Sequence, residues 1–122
     1  MARLRLIRTP QKYVQGKDSL LKFHKEMGFL GKKWLLICSN SGYKMCHDKI
    51  EKSFENSDDI RHYEIFGGIS STGEIDRLKK IVESEGIQAV VGIGGGSAID
   101  TAKAVAYYEG LPVAVVPTVV AT

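Results

Sequence analysis

Apolar positions along the chain follow two alternating periods. KWLLIC (33–38), IRHYEIF (60–66), IQAVVGI (87–93) and LPVAVVP (111–117) are short runs rich in apolar, β-branched and aromatic residues, the pattern of strands in a covered sheet. Between them the apolar residues recur every three or four positions, as on one face of a helix. Tyr43, Cys46, Ile50 and Phe54 mark one such face; Ile75, Leu78, Ile81 and Val82 mark a second; SAIDTAKAVAYYE (97–109) carries a third. SNSG (39–42) reads as a turn after the first run, Ser71 and Glu74 have the spacing of a capping box, and Gly86 and Gly110 stand where helices stop. A further helix over 18–29, with Leu20, Leu21, His24 and Met27 inward, precedes these elements, and KYVQG (12–16) offers another strand. Strands joined through helices run parallel, because a hairpin cannot return the chain in the same direction. The expected fold is therefore α/β: a doubly wound, mostly parallel sheet of Rossmann-like topology.

Composition adds bounds to this picture. The 122 residues suit a single domain spanning 1–122, and 43% apolar with 25% charged residues is the balance of a chain that buries a core. The net charge of +3 is spread along the chain rather than gathered into a basic patch, so no nucleic-acid partner is expected. No run reaches the roughly 20 apolar residues of a membrane span, and MARLRLIRTP lacks the apolar core of a secretion signal. Cys38 and Cys46 read as two reduced thiols. Together these lead to the expectation of a soluble, cytoplasmic protein.

The candidate chemistry lies in GIGGGSAIDTAKAVA (92–106). In an open parallel sheet, ligands bind beyond the carboxyl ends of the strands where the strand order reverses. Gly94, Gly95 and Gly96 fall at such an end, directly before a helix. Residues without Cβ admit positive φ and close approach, and the free N–H groups of a helix start favour an anion, so a phosphate is the expected occupant. The string is neither a P-loop, which needs Lys and Ser or Thr after its last glycine, nor the dinucleotide fingerprint, whose third glycine falls on Ser97. Plainer roles exist for the same residues. The glycines could form only a tight turn, Ser97 and Asp100 could cap the helix, Lys103 could pair with Asp100, and Thr118 could be an ordinary turn residue. Position favours a site: the segments 94–97 and 117–122 leave neighbouring strands at one edge and flank one crevice.

At these residues the sequence resembles the glycerol dehydrogenases of the iron-type, metal-dependent polyol dehydrogenase family. PQKYVQG (10–16), KWLLI (33–37), FGG (66–68), EIDRL (74–78), GIGGGSAIDTAKAVA (92–106) and GLPVAVVPT (110–118) carry the resemblance, which covers nearly the whole chain. It implies an N-terminal α/β domain that binds NAD or NADP. It also implies a C-terminal helical domain whose Asp and two His hold a divalent metal, zinc or iron, with a small polyol substrate in the cleft between. By position, Gly94, Gly95, Gly96, Ser97 and Ala98 would cradle the pyrophosphate, Asp100 would lie near the nicotinamide ribose, and Thr118 with Val119 would contact the adenine side. Where NAD-using relatives end their first parallel strand with an Asp that grips the ribose hydroxyls, this chain has Ser39, so its preference between NAD and NADP is open. Ala121 stands where the relatives usually have a serine.

The resemblance further implies that the substrate-contacting and metal-binding parts lie beyond Thr122. The chain by itself is then the inactive cofactor half of an enzyme that moves a hydride from a secondary alcohol to NAD(P). His24, His47 and His62 have no metal-ligand spacing and read as structural residues. Two alternatives stand beside this. One is a non-catalytic nucleotide-binding or assembly module, whose apolar surface would favour a homo-oligomer. The other, more remote, is a lyase domain of the dehydroquinate synthase type.

Overall fold

The computed structural model describes residues 12–13, 20–67 and 71–118. Its centre is a sheet of five strands: β1 (Lys12–Tyr13), β2 (Lys33–Cys38), β3 (Ile60–Ile65), β4 (Ala89–Gly94) and β5 (Val113–Pro117). Their order across the sheet is β1-β5-β4-β2-β3, and every pairing is parallel. The connecting helices are α2 (Asn40–Ser53), α3 (Thr72–Glu85) and α4 (Gly96–Glu109); a short α1 (Phe23–Met27) precedes them and passes into a 3-10 turn at Gly28–Leu30.

Burial follows the two periods of the sequence. Trp34 to Cys38 and Ala89 to Ile93 are buried residue after residue, as central strands covered on both faces must be. One apolar layer joins Trp34, Leu36 and Cys38 of β2 to Phe23 of α1 and to Cys46, Ile50 and Phe54 on the α2 side. The other joins Leu35 and Ile37 to Leu78 and Val82 of α3 and to Ala98, Ala102 and Val105 of α4. Thus α1 and α2 cover one face and α3 and α4 the other. The rings of Phe23, Trp34 and Phe54 meet at centroid distances of 5.6–6.0 Å.

The helix ends show what starts and stops each segment. Ser39 caps α2, its Oγ accepting from the Gly42 N–H at 2.9 Å. Ser71 caps α3 through Glu74 N–H at 3.2 Å, while the Glu74 carboxylate turns to the Gly67 N–H and to Arg77. Gly86 and Gly110 end α3 and α4 in the left-handed conformation, with φ of 66° and 68°.

Several expectations shift. SNSG is not a separate turn: Ser39 is the cap and residues 40–42 are the first turn of α2. Of the helix expected over 18–29, residues 18–19 lie outside the described residues, residues 20–21 and 23–27 are helical with a turn at Lys22 between them, and Leu21 is 44% exposed while Phe23 takes the inward place. Phe23 lies three residues after Leu20 and four before Met27, so one stripe carries all three and leaves Leu21 outside it. The strand at 12–16 is seen at Lys12–Tyr13, paired with β5; residues 14–16 lie outside the described residues. No described helix is long and apolar enough to cross a membrane.

Candidate dinucleotide site at the carboxyl edge of the sheet

The strand order reverses between β2 and β4. From β2 the chain crosses by α2 toward the β3 edge, and from β4 it crosses by α4 toward β5 on the opposite face. The two helices therefore begin on either side of a single point, where ligands settle in open α/β sheets. Backbone bonds hold the three strand ends level. Ser39 N–H donates to the Ile93 carbonyl at 2.9 Å, and Thr118 N–H donates to the Gly94 carbonyl at 3.0 Å. Ser39, Gly94 and Thr118, distant in sequence, thus stand side by side.

The three glycines divide by role. Gly94 alone has positive φ, at 142°, and is buried; a Cβ on it would lie 2.6 Å from Ser39 Oγ and 2.9 Å from Ser39 Cβ. It is the residue that lets the end of β4 pass against the end of β2. Gly95 and Gly96 do not take positive φ, which corrects the expectation for the triplet: Gly95 is the extended cap of α4 and Gly96 its first residue. A Cβ on either would meet nothing within 4 Å, so both face open space.

This leaves α4 with a bare start. Its cap residue makes no side-chain hydrogen bond and its first turn holds no acid, whereas α2 and α3 are each capped by a serine hydroxyl. Ser97 and Asp100 do not form the cap that their spacing allowed. The helix begins one residue before Ser97, and Asp100 lies past the first turn, exposed. The first N–H groups of an α-helix have no partner within it, so those of α4 point outward beside open glycines with a partial positive charge behind them. Ser97 is exposed at this start, Ala98 packs beneath into the core, and Thr118 is half-buried on the neighbouring strand end. Val119 and Ala121 lie outside the described residues.

Two close approaches carried no distinctive sequence signal. A Cβ at Gly42 would come 2.8 Å from the Ile93 carbonyl oxygen, so α2 starts directly over the end of β4. A Cβ at Gly92 would come 2.7 Å from Ala102 Cβ, so small residues on both sides seat α4 on its strand.

The remaining candidate side chains do not gather here. His24 pairs with Asp59 at 3.1 Å, His47 with Asp48 at 3.0 Å, and His62 with Glu64 and Glu85. Among the described residues, no group of three His, Cys, Asp or Glu side chains could hold a metal. Cys38 and Cys46 are free and buried. Burial, and secondarily Cys46, pushes the Cys38 thiol up to about 12, so it stays protonated at neutral pH.

A doubly wound parallel sheet with a glycine-rich strand-to-helix turn at its switch point defines the general class. Within that class the chain belongs to the iron-containing alcohol dehydrogenases, whose family pattern matches residues 10–122. It is 38% identical over 118 residues to the glycerol dehydrogenase of Escherichia coli, covering 97% of this chain and 32% of that protein. The glycerol dehydrogenase structure from Schizosaccharomyces pombe superposes with a TM-score of 0.75 at 29% identity, over 89% of this chain and 28% of that one. The NADH-dependent butanol dehydrogenase A of Thermotoga maritima does so with the same TM-score at 25% identity, over 93% and 34%. The chain spans about a third of the length of the curated relatives named here.

Proposed function

We propose that this chain is the nicotinamide-dinucleotide-binding part of a metal-dependent glycerol or polyol dehydrogenase. The observation that carries this reading is the uncapped, acid-free start of α4 beside Gly95 and Gly96, at the one point where the strand order reverses. A pyrophosphate fits such a place: it brings the acceptor oxygens the free N–H groups lack, and the two open glycines let it approach the backbone. Each relative named above is a dehydrogenase, and one is NADH-dependent by name.

In this reading the N–H groups of Gly96, Ser97 and Ala98 hold the diphosphate, with the Ser97 hydroxyl beside them. Asp100 lies toward the nicotinamide ribose, and Thr118 with Val119 borders the adenine side. Ser39, whose Oγ is committed to the Gly42 N–H, offers the adenine ribose no carboxylate, so NADP is accepted alongside NAD. The nicotinamide ring, when bound, takes the hydride from the alcohol carbon. The described residues do not fit a metal. The metal of the family, zinc or iron, and the polyol would be held by parts of the enzyme outside these residues, and the chain alone would bind nucleotide without turning over substrate.

Calorimetric titration of the 122-residue protein with NAD and with NADP tests the reading. Binding of either, with a matching rise in unfolding temperature, is the expected result. No heat and no thermal protection from either nucleotide would remove it.

A further inference from the structure

A row of charged side chains runs along the outer edge of the sheet, away from the glycines. His62, in the middle of β3, has Nε2 2.7 Å from Glu64 Oε2 and Nδ1 2.8 Å from Glu85 Oε1. An ionised carboxylate only accepts hydrogen bonds, and a neutral imidazole carries a single N–H. Two ring nitrogens facing two carboxylates at these distances require two donors, which only the imidazolium has. A neutral ring would set one nitrogen lone pair against an acid oxygen.

The row continues from Glu64. Arg77 of α3 donates to Glu64 Oε1 at 2.6 Å and grips Glu74 with Nε at 2.9 Å and Nη2 at 2.7 Å. Glu74 Oε2 in turn accepts from the Gly67 N–H at 3.1 Å. Gly67 lies two residues past the end of β3. Its neighbour Phe66 donates to the Cys38 carbonyl, one residue from Ser39, so the row ends at the carboxyl edge of the sheet.

We propose that His62 is a proton-operated clasp. As an imidazolium it ties edge strand β3 to α3 through Glu85, and through Glu64, Arg77 and Glu74 it steadies the Gly67 backbone. When the proton leaves, one of the two carboxylate contacts is lost and the hold on the Gly67 amide loosens. Any consequence for nucleotide affinity rests on the function proposed above; the clasp does not.

The surroundings of the ring agree. Glu64 faces it from its own strand, Glu85 from α3, and Arg77 balances Glu64 from the far side. On β2, Leu35 lies opposite in register, and Lys33 ends near Gly86, 3.8 Å from where a Cβ there would stand. Burial alone would lower the ring's pKa, but the bonds to Glu64 and Glu85 outweigh it and raise the pKa above its ordinary value. Burial would likewise raise that of Glu64, yet Arg77 and His62 hold it below the usual carboxylate range. With a raised pKa in the folded state, the stabilisation is complete below the unfolded value of about 6.5 and is lost as pH rises through the folded value.

Proton and nitrogen NMR of the full chain without nucleotide, titrated from acid to alkaline pH, tests the clasp. Expected are a His62 midpoint above about 6.5, both ring nitrogens protonated on the acid side, and a Gly67 amide shift that moves with the same midpoint. In His62→Gln the Gly67 amide no longer titrates in that range. Should that variant fail to fold, Glu85→Gln keeps an acceptor, removes the charge, and should lower the His62 midpoint. A His62 midpoint at or below the ordinary value, or a Gly67 amide that ignores the titration of His62, overturns the proposal. Because no nucleotide is present, failure of the cofactor reading cannot produce either result.

Discussion

Alanine substitutions at Gly94 and at Gly96 should have opposite effects on stability, although both glycines belong to one run of three. At Gly94 the new methyl would sit 2.6 Å from Ser39 Oγ and 2.9 Å from Ser39 Cβ, on a backbone with φ of 142°. Ser39 cannot simply swing aside, because its hydroxyl caps α2 through the Gly42 N–H. Overpacking costs roughly 1–3 kcal/mol. Holding an alanine at such a φ adds about 1–3 kcal/mol, so Gly94→Ala should lose about 2–6 kcal/mol. At Gly96 the methyl meets nothing within 4 Å and the residue is helical, so Gly96→Ala should gain about 0.5–1 kcal/mol. If a diphosphate lies against this backbone, the same methyl should weaken NAD binding about tenfold, a loss of roughly 1.4 kcal/mol. Urea denaturation of the free proteins gives the stabilities, and calorimetric titration gives the affinities. A Gly96→Ala protein that is markedly destabilised, or one that binds nucleotide as well as the parent, would refute the division of roles between the glycines.

Further outcomes follow from the packing at three residues. Ser39→Ala should cost about 1 kcal/mol by uncapping α2. Ser39→Asp should keep the cap and its stability, and its added carboxylate should lower affinity for NADP relative to NAD, measured by paired titrations. Asp59 is buried, and its Oδ2 accepts from Trp34 Nε1 at 3.0 Å and faces His24 Nε2 at 3.1 Å. Asp59→Ala therefore strands the indole donor and opens a cavity, a loss of about 2–4 kcal/mol by denaturation. Burial would raise the Asp59 pKa, but the bonds from Trp34 and Ser57 and the nearby His24 outweigh it and hold it below the ordinary value. Its contribution is then present above the unfolded pKa of about 3.9 and lost as pH falls through the lower folded value, a loss that Asp59→Asn should lack in acid denaturation curves. Phe23→Ala removes one of three rings packed together under β2 and should cost about 3–5 kcal/mol in the same assay.

Much of the architecture was readable along the chain, because each element carries its own burial pattern. A strand covered on both faces needs an unbroken apolar run, which KWLLIC and AVVGI supply; an amphipathic helix needs apolar residues three and four apart, which Ile75, Leu78 and Val82 supply. The stops at Gly86 and Gly110 were equally local, since a left-handed residue suits glycine wherever it stands. The glycine run stands at the carboxyl end of β4, beside the point where the strand order reverses. What misled was local as well. SNSG has the composition of a loop, yet a serine followed by polar residues is equally the start of a helix. Leu21 and Phe23 are both apolar, and which one turns inward depends on a stripe whose phase is set by the sheet beneath it.

By itself, then, the sequence determined the alternation of strands and helices, the parallel sheet that alternation compels, and the small-residue turn between β4 and α4, because all of these depend on periodicity and on what a backbone can do locally. The tertiary structure decided the order β1-β5-β4-β2-β3, the meeting of Ser39 with Gly94, the separate duties of three identical glycines and the enclosure of His62 between Glu64 and Glu85. Each of those depends on which strand lies beside which, and neighbours across a sheet are chosen by the packing of the whole core rather than by any short stretch of chain.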